Sequence, residues 1–338
     1  MLAASKNKFG RTAIDVTAMG MGSAPLGNFF SPINDDIAHK LIHQAWENGI
    51  RYFDTAPVYG HGLSEARLGE ALRWLPRQKF VLSTKVGRML RPARRSEVKT
   101  SVWVNPLPFN VELDYSYSAA MRSIEDSLQR TGLEYIDIAF IHDCDVITHG
   151  DKQPFYFEQA MNGAYKALIQ LRDEGVIKAV GMGINEWEVC YSALQQGDFD
   201  CFLLAGRYTL LEQQSLETFL PLCEQRNVSV VVGGGFNSGI LATGAVANAK
   251  YNYGPATDEI FHRVTKIEQV CREFNVPLPA AALQFVLAHP AVPTIIPGTR
   301  SKEQLNKCIE WINTAIPAEF WQQLKQQNLL AEQAPVPA

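Results

Sequence analysis

Long apolar runs are missing from this sequence of 338 residues. No uninterrupted apolar stretch approaches the roughly 20 residues that a membrane-spanning helix needs. The first residues, MLAASKNKFGR, contain no apolar segment of signal-peptide length. The sequence therefore predicts a chain without a membrane span, and we expect it in the cytoplasm.

A surplus of one charge is also missing. The chain has 31 Lys and Arg residues against 35 Asp and Glu residues, without a long run of either sign. This balance gives no indication of a nucleic-acid or anionic membrane partner. The six cysteines are scattered without a close pair, which argues against a disulfide framework and a metal site. We therefore expect a small-molecule partner; the sequence does not indicate an oligomeric state.

Short apolar runs that alternate with helical patterns are what the sequence does contain. All but the first of the predicted strands are rich in branched apolar residues, and each is followed by a helical pattern. Strands without polar alternation are typical of parallel strands covered by helices on both faces. The predicted strands are residues 16–22, 50–54, 79–84, 135–142, 176–182, 201–205, 228–232 and 293–297.

Eight such units predict an α/β fold, a (β/α)8 TIM barrel, as one domain over residues 1–338. A doubly wound sheet is the alternative. It would normally have fewer units and a glycine-rich turn that opens a helix after the first strand. The glycine-rich segment 19–23 lacks such a helix start, so the barrel is favoured.

Two connections are too long to be simple loops. They span residues of about 87–113 and 233–255, and both contain aromatic side chains, among them Trp103 and Phe236. Loops of this length in a compact domain are usually functional or disordered. We interpret them as lids over a substrate and cofactor site.

Polar residues stand where several of the predicted strands end. They are Asp54, Lys85, His142 and Asn185, with Tyr59 in the loop after Asp54. Each could instead be structural, as a helix cap, an unrelated ion pair or a core histidine. The carboxyl ends of barrel strands form one ring, however, and a buried carboxylate requires a cation or several donors. We therefore expect Lys85 to pair with Asp54 within a shared site.

These residue types suit proton transfer to or from a substrate oxygen. A tyrosine with its free pKa of about 10 is a poor acid or base near neutrality, but a neighbouring ammonium favours the phenolate. We expect Lys85 to lower the pKa of Tyr59, Asp54 to hold Lys85, and His142 to point at the substrate oxygen. These acid/base groups suit the interconversion of an alcohol and a carbonyl group. Because such groups carry no hydride, the chemistry needs a nicotinamide cofactor.

Four motifs resemble those of the aldo-keto reductases, and the resemblance extends along nearly the whole chain. The motifs are FDTAPVYGHGLSEARLGEAL (53–72), STKVGR (83–88), SIEDSLQRTGLEYIDIAFIHD (123–143) and IIPGTR (295–300). The resemblance implies a barrel that binds NAD(P)(H) without a Rossmann domain. It also implies a catalytic tetrad of Asp54, Tyr59, Lys85 and His142, with Tyr59 as the acid/base.

The resemblance also implies the binding residues. Trp103, Tyr59 and His142 are the expected substrate contacts. The expected cofactor contacts are Gly22, Ser23, Asp54, Asn185, Arg207, Phe236, Asn237, Ser238, Gly298, Thr299, Arg300 and Gln304.

Some family positions differ in this chain. Gly183 stands at the usual serine of the carboxamide-binding segment, Ala205 at the usual glutamine, and Gly233 at the usual stacking aromatic. Phe236 is either a replacement stacking residue or a plain lid residue. Gln304 stands where NADPH-dependent relatives commonly carry Arg, a residue suited to a 2′-phosphate. With Arg300 and Lys302 close by, the sequence favours NAD and leaves NADP as the alternative.

Segments 114–116, 183–188 and 207–213 are similar to the sugar-dehydrogenase branch of the family. This similarity implies oxidation of the anomeric hydroxyl of an aldose, of the L-fucose, D-threo-aldose or L-galactose type, to a lactone. Pyridoxal, which also forms a hemiacetal, is an alternative substrate. The same motifs also fit an NADPH-dependent carbonyl reductase and, from a different class, a cofactor-binding interaction module. An intact tetrad favours an enzyme.

Overall fold

A computed structural model describes residues 2–337 of the chain. Its strands are β1 (Lys6–Lys8), β2 (Asp15–Thr17), β3 (Met21–Gly22), β4 (Tyr52–Asp54), β5 (Val81–Val86), β6 (Arg88–Pro92), β7 (Phe109–Leu113), β8 (Ile138–His142), β9 (Ala179–Ile184), β10 (Cys201–Ala205), β11 (Ser229–Gly233), β12 (Lys250–Tyr251), β13 (Gly254–Pro255) and β14 (Thr294–Ile295).

The α-helices lie between and after these strands along the chain. They are α1 (Asp35–Glu47), α2 (Leu63–Leu72), α3 (Tyr117–Thr131), α4 (Val146–His149), α5 (Gln153–Gln159), α6 (Tyr165–Asp173), α7 (Trp187–Gln196), α8 (Phe219–Gln225), α9 (Ile240–Thr243), α10 (Asp258–Glu273), α11 (Leu278–Leu287), α12 (Lys302–Asn313) and α13 (Ala318–Gln326). No helix within the described residues combines the length and apolar character required to cross a membrane.

Eight strands form one parallel sheet in the order β3, β4, β5, β8, β9, β10, β11, β14. The two end strands, β3 and β14, meet through backbone bridges between Met19 and Ile295 and between Gly22 and Gly298. The sheet therefore closes on itself, and the predicted (β/α)8 barrel is confirmed. In such a barrel the carboxyl ends of all the strands open on one face.

The predicted opening strand, residues 16–22, is wrong as a single element. Residues Asp15–Thr17 pair antiparallel with β1, and only Met21–Gly22 enter the barrel. The chain changes direction at Thr17, whose hydroxyl donates to the carbonyl oxygen of Met19 at 2.7 Å. The hairpin places Phe9 against the inward side chains of the barrel strands, so it covers one end of the barrel.

The two long connections contain structure that the sequence pattern did not indicate. In the first, β6 and β7 pair antiparallel. In the second, α9 precedes the short antiparallel pair β12 and β13. Their interpretation as lids stays a prediction.

The packing of α2 on α3 depends on a glycine. A Cβ atom at Gly69 would lie 2.0 Å from the carbonyl oxygen of Thr131, the last residue of α3. Because backbone atoms cannot yield as a flexible side chain does, any side chain here must push the two helices apart. The α2 helix follows the loop that carries Tyr59, so this contact helps to hold that loop in position.

We expect Gly69→Ala to destabilise the protein by at least about 1–3 kcal/mol. Replacing a helix-interior glycine by alanine would otherwise stabilise the helix by up to about 1 kcal/mol, so the sign of the change is informative. Urea unfolding followed by circular dichroism measures it. Glu70→Ala, next along the same helix, removes only an exposed contact with His39 and serves as the control. A more stable Gly69→Ala protein would contradict the packing argument.

Candidate active site

A buried ion pair lies at the carboxyl end of the barrel. Lys85 Nζ donates to Asp54 Oδ2 at 2.7 Å, and both side chains are almost fully buried. The ammonium also donates to the carbonyl oxygen of Thr55 at 2.8 Å, while Ser83 donates to Asp54 Oδ1 at 2.7 Å. The pair expected from the sequence is therefore present, and each partner makes one further hydrogen bond.

Burial and pairing act in opposite directions on these two groups. Burial raises the pKa of Asp54, against the effects of Lys85 and Ser83. Burial, the largest influence, works against the charged form of Lys85, but Asp54 and Tyr59 together outweigh it, so the pKa of Lys85 is raised. We regard the pair as ionised, because its short contact and added hydrogen bonds are those that stabilise the charged forms.

Tyr59 follows β4 and is half-buried among other side chains. The Lys85 ammonium lies 4.8 Å from the centroid of the Tyr59 ring, and the His142 ring lies 6.0 Å away, nearly perpendicular. Trp103 packs on the other side, with the ring centroids 5.5 Å apart. The expected group of Asp54, Tyr59, Lys85 and His142 is thus brought together, with Trp103 beside it.

The expected lowering of the Tyr59 pKa is wrong for this structure. Burial, the largest influence, raises the pKa of Tyr59 to about 12, although Lys85 acts in the lowering direction. The phenol is therefore neutral near neutral pH. A sequence pattern reveals that a lysine is available, but it does not reveal that neighbouring side chains pack around the half-buried phenol and reduce its contact with water.

His142 is a neutral imidazole in this environment. Burial lowers its pKa well below the usual value, and the charges of Lys85 and Arg88 act in the same direction. Its Nδ1 atom is buried without a hydrogen-bond partner among the described residues. Its Nε2 atom lies 3.4 Å from Asp143 Oδ2.

Asp143 and Arg88 are site residues that the sequence interpretation missed. Arg88 Nη2 donates to Asp143 Oδ2 at 2.8 Å, and Asn185 Nδ2 approaches Asp143 Oδ1 at 3.3 Å. Burial raises the pKa of Asp143 to about 6, despite the opposing charge of Arg88. Both residues closely follow strands that end at the site, which is the signal that could have identified them. Asn185 also contacts Asp145, so its amide nitrogen is turned toward two carboxylates.

Several expected cofactor residues form a close backbone approach between the first and last strands. Gly22 and Gly298 bridge β3 to the segment after β14, and a Cβ at Gly22 would lie 2.7 Å from a carbonyl oxygen. Ser23 is buried and accepts a hydrogen bond from Ser64 at 2.7 Å. Thr299 is buried, and its hydroxyl has no partner among the described residues. A dinucleotide phosphate would accept a hydrogen bond from the unsatisfied Thr299 hydroxyl, whereas the space beside Gly22 is filled by the backbone of Ile296.

Arg300 and Gln304 are engaged with neighbouring atoms of the chain. Arg300 Nη1 donates to the carbonyl oxygen of Phe29 at 2.8 Å, and Nη2 donates to that of Ser31. Gln304 Oε1 accepts from the backbone N–H of Arg300 at 2.8 Å. Lys302 is exposed nearby.

The other expected cofactor residues tie the second long connection to the barrel. Arg207 donates to Asn252 at 2.7 Å, and Asn237 joins the loops after β10 and β11 through Thr209 and the Gly206 carbonyl. Ser238 Oγ accepts from the backbone of Tyr253 at 2.9 Å. Phe236 packs edge-on against Trp311, so the structure favours its interpretation as a packing residue over a freely stacking one.

A (β/α)8 barrel with these groups at its carboxyl end defines an NAD(P)-dependent oxidoreductase. The chain belongs to the aldo/keto reductase family, whose model matches residues 18–328. Members of this family use NAD(P)(H).

Comparisons with individual proteins agree with this assignment. The chain is 43% identical to pyridoxal 4-dehydrogenase of Microbacterium luteolum, over 97% of this chain and 99% of that protein. It is 38% identical to D-threo-aldose 1-dehydrogenase of a Pseudomonas species, over 93% of this chain and 95% of that protein. The holo form of an aldo-keto reductase from Bacillus halodurans has a TM-score of 0.74 at 25% identity, covering 98% of this chain and 99% of that one.

We expect Lys85→Met to destabilise the protein by about 3–5 kcal/mol at neutral pH, because it leaves Asp54 buried without a cation. In this variant the folded-state pKa of Asp54 lies above its unfolded value of about 3.9. Protonated Asp54 is then tolerated at low pH, and stability relative to the parent is lost as the pH rises from about 4 toward the folded-state pKa. Urea unfolding at about pH 5 and pH 8 measures this difference.

Lys178→Met is the matched control for this prediction. Lys178 Nζ contacts Asp137 at 2.6 Å, but its side chain is 51% exposed and Arg77 remains as a buried partner of Asp137. We expect a loss of at most about 1 kcal/mol. An equal loss in both lysine variants, independent of pH, would contradict the buried-pair argument.

Proposed function

We propose that this protein oxidises the anomeric hydroxyl of an aldose to the corresponding lactone, with an NAD(P) cofactor. The observation that carries the proposal is the convergence of Tyr59, Lys85 and His142 at the carboxyl end of the barrel. The similarity to D-threo-aldose 1-dehydrogenase supports the substrate class. The anomeric carbon of a cyclic hemiacetal carries one hydroxyl and one hydrogen, so its oxidation to a lactone removes one proton and one hydride.

The roles of the residues follow from their protonation states. In the oxidation direction Tyr59 first loses its own proton to solvent, and the resulting phenolate, which the charged Lys85 stabilises, takes the hydroxyl proton. In the reverse direction the neutral phenol gives this proton to the carbonyl oxygen. Asp54 holds Lys85 in place, and neutral His142 presents a ring nitrogen to the substrate oxygen. Bound nicotinamide supplies the hydride acceptor.

The residues proposed to hold the cofactor are those near the junction of β3 and β14, together with the loops after β9, β10 and β11. We infer a preference for NAD over NADP. Arg300 is committed to two backbone carbonyls, and Gln304 offers no positive charge to a 2′-phosphate. Lys302 is the remaining cation of this segment, and as a single point charge it provides weaker recognition than an arginine fork.

Pyridoxal is a second candidate substrate, because pyridoxal 4-dehydrogenase is 43% identical to this chain. Pyridoxal closes to a cyclic hemiacetal, so the same proton and hydride are removed. The site would also reduce a carbonyl with NADPH in the reverse direction. An interaction module that only binds cofactor would not need the buried charges of Asp54 and Lys85, which argues for an enzyme.

Tyr59→Phe tests the proposed function directly. We expect lactone formation from L-fucose, D-arabinose or pyridoxal to fall by about 10²- to 10⁴-fold, because the proton acceptor is removed. The parent protein should form NADH and lactone with at least one of these compounds. Absorbance of the reduced cofactor and mass spectrometry of the product measure both.

Cofactor titration by intrinsic fluorescence should leave Tyr59→Phe near the parent affinity, which separates chemistry from binding. Tyr135→Phe is the control, since Tyr135 contacts Arg77 and Lys178 instead of the site. Turnover of Tyr59→Phe within about tenfold of the parent would exclude Tyr59 as the acid/base.

We expect NAD⁺ to bind more tightly than NADP⁺ in the same titration. Gln304→Arg should strengthen NADP⁺ binding by about tenfold, because a charge-assisted hydrogen bond to the 2′-phosphate becomes available. Gln327→Arg adds the same charge at an exposed position after α13 and should leave both affinities unchanged. Tighter binding of NADP⁺ by the parent protein would contradict the NAD preference.

A further inference from the structure

Asp143 is held in an unusual backbone conformation. Its φ is +48°, a left-handed value that is uncommon outside glycine and costs energy. The Tyr115 hydroxyl lies 2.7 Å from the carbonyl oxygen of His142 and 2.9 Å from that of Asp143, and it also contacts His149 Nε2 at 3.0 Å. Strained backbone that is fixed in this way is a marker of functional sites.

A glycine at position 87 allows the Tyr115 ring to occupy this position. Tyr115 is fully buried, and a Cβ at Gly87 would lie 2.3 Å from its ring. Gly87 itself has a φ of +103°. Two separate features therefore fix the direction of the Asp143 side chain. Gly87 leaves space for the Tyr115 ring, and the Tyr115 hydroxyl holds the carbonyl groups of His142 and Asp143.

The Asp143 carboxylate lies beside the proposed reaction centre. Its Oδ2 atom is 3.4 Å from His142 Nε2. Its charge contributes to raising the pKa of Tyr59 and also that of Tyr253, so it lies within electrostatic reach of both the phenol and the second long connection. Its side chain is 17% exposed, which leaves it accessible to a bound molecule.

The carboxylate retains capacity for a further donor. An ionised carboxyl group offers about four lone-pair positions. Arg88 occupies one at 2.8 Å, whereas Asn185 and His142 approach only to 3.3 and 3.4 Å. Arg88 Nε, in turn, is buried without an acceptor among the described residues. The Asp143 carboxylate can therefore accept a further hydrogen bond, and Arg88 Nε beside it has a hydrogen to donate.

A hydroxyl group matches this pair, because it both donates and accepts a hydrogen bond. When the reacting oxygen of a substrate lies against Tyr59 and His142, the substituent on the adjacent carbon lies next to Asp143. In an aldose this substituent is the C2 hydroxyl. Adjacent hydroxyls on a sugar ring are within hydrogen-bond distance of each other, which agrees with the short separation of His142 and Asp143.

We propose that Asp143 and Arg88 together bind the hydroxyl on the carbon next to the reacting carbon, and thereby select substrates that carry one. This inference rests on the proposed function, since it names a specificity element of the same site. It applies equally to oxidation of a hemiacetal and to reduction of an α-hydroxyaldehyde.

The test compares substrates with and without the adjacent hydroxyl in Asp143→Ala and Asp143→Asn. L-fucose and 2-deoxy-L-fucose are the oxidation pair, and glyceraldehyde and propanal are the reduction pair. For the hydroxylated member we expect kcat/KM to fall by about 10- to 100-fold in Asp143→Ala, as loss of a hydrogen bond to a charged group predicts. For the deoxy member we expect a change of less than about threefold, because it never made the contact.

Asp143→Asn keeps the size of the side chain and one acceptor oxygen, so it should show a smaller selective loss of about three- to tenfold. If Asp143→Ala does not fold, cofactor titration will show no binding, and the Asp143→Asn variant then decides the outcome. Glu186→Gln is the matched control. Glu186 belongs to the neighbouring polar cluster but accepts from the backbone of Val146 at 2.6 Å, and its substitution should leave the substrate ratios unchanged.

Equal losses on both members of each pair would show that Asp143 only positions the site and would overturn this inference. Unchanged kinetics in both Asp143 variants would also overturn this inference. In either case, lactone formation by the parent protein would leave the proposed function intact. If the parent reduces glyceraldehyde but forms no lactone, the proposed function fails and the glyceraldehyde-to-propanal ratio still decides this inference. Activity on none of the four compounds would overturn this inference, whereas the proposed function fails only if L-fucose, D-arabinose and pyridoxal all remain unoxidised.

Discussion

The buried ion pair of Asp54 and Lys85 is the constraint on which the candidate site depends. Two charges removed from water are unfavourable unless their geometry is good and further hydrogen bonds satisfy them. Here the two residues come from adjacent parallel strands, in a register that sets Asp54 opposite Ser83. A shift by one residue would turn Lys85 to the other face of the sheet. The register of the barrel therefore fixes where a positive charge stands beneath Tyr59 and His142.

Burial sets the protonation states around that charge. It raises the pKa of Tyr59 to about 12 and lowers the pKa of His142, so the resting site holds a neutral phenol and a neutral imidazole. A neutral phenol is ready to donate a proton to a carbonyl oxygen. Accepting a proton requires the phenolate, which Lys85 stabilises and alkaline pH favours. We therefore expect the rates of oxidation and reduction to depend on pH in opposite senses through Tyr59, and a positive charge near Tyr59 favours the phenolate that oxidation requires.

The strand-end residues could be predicted because each apolar run ends abruptly in a polar side chain. Asp143 stands one residue beyond His142 and Arg88 three beyond Lys85, where a charged side chain is indistinguishable from an ordinary loop residue. The error at residues 16–22 has a different cause, since a two-residue strand is too short to show any period. The partners of Arg300 lie about 270 positions away in the sequence, and only the folded chain brings them together. The raised pKa of Tyr59 likewise depends on packing from several elements.

The segment after β3 links the proposed cofactor end of the site to its substrate end. Arg300 holds the carbonyl oxygen of Phe29, and Phe29 pairs with Trp103 through a backbone bridge. Trp103 in turn packs against Tyr59. An Arg300 side chain drawn away to a 2′-phosphate would leave these carbonyls without their donor and loosen the wall behind Tyr59. We infer that Arg300 supports the packing of Phe29 and Trp103 beside Tyr59, so its proximity to the proposed cofactor segment is not by itself an argument for NADP.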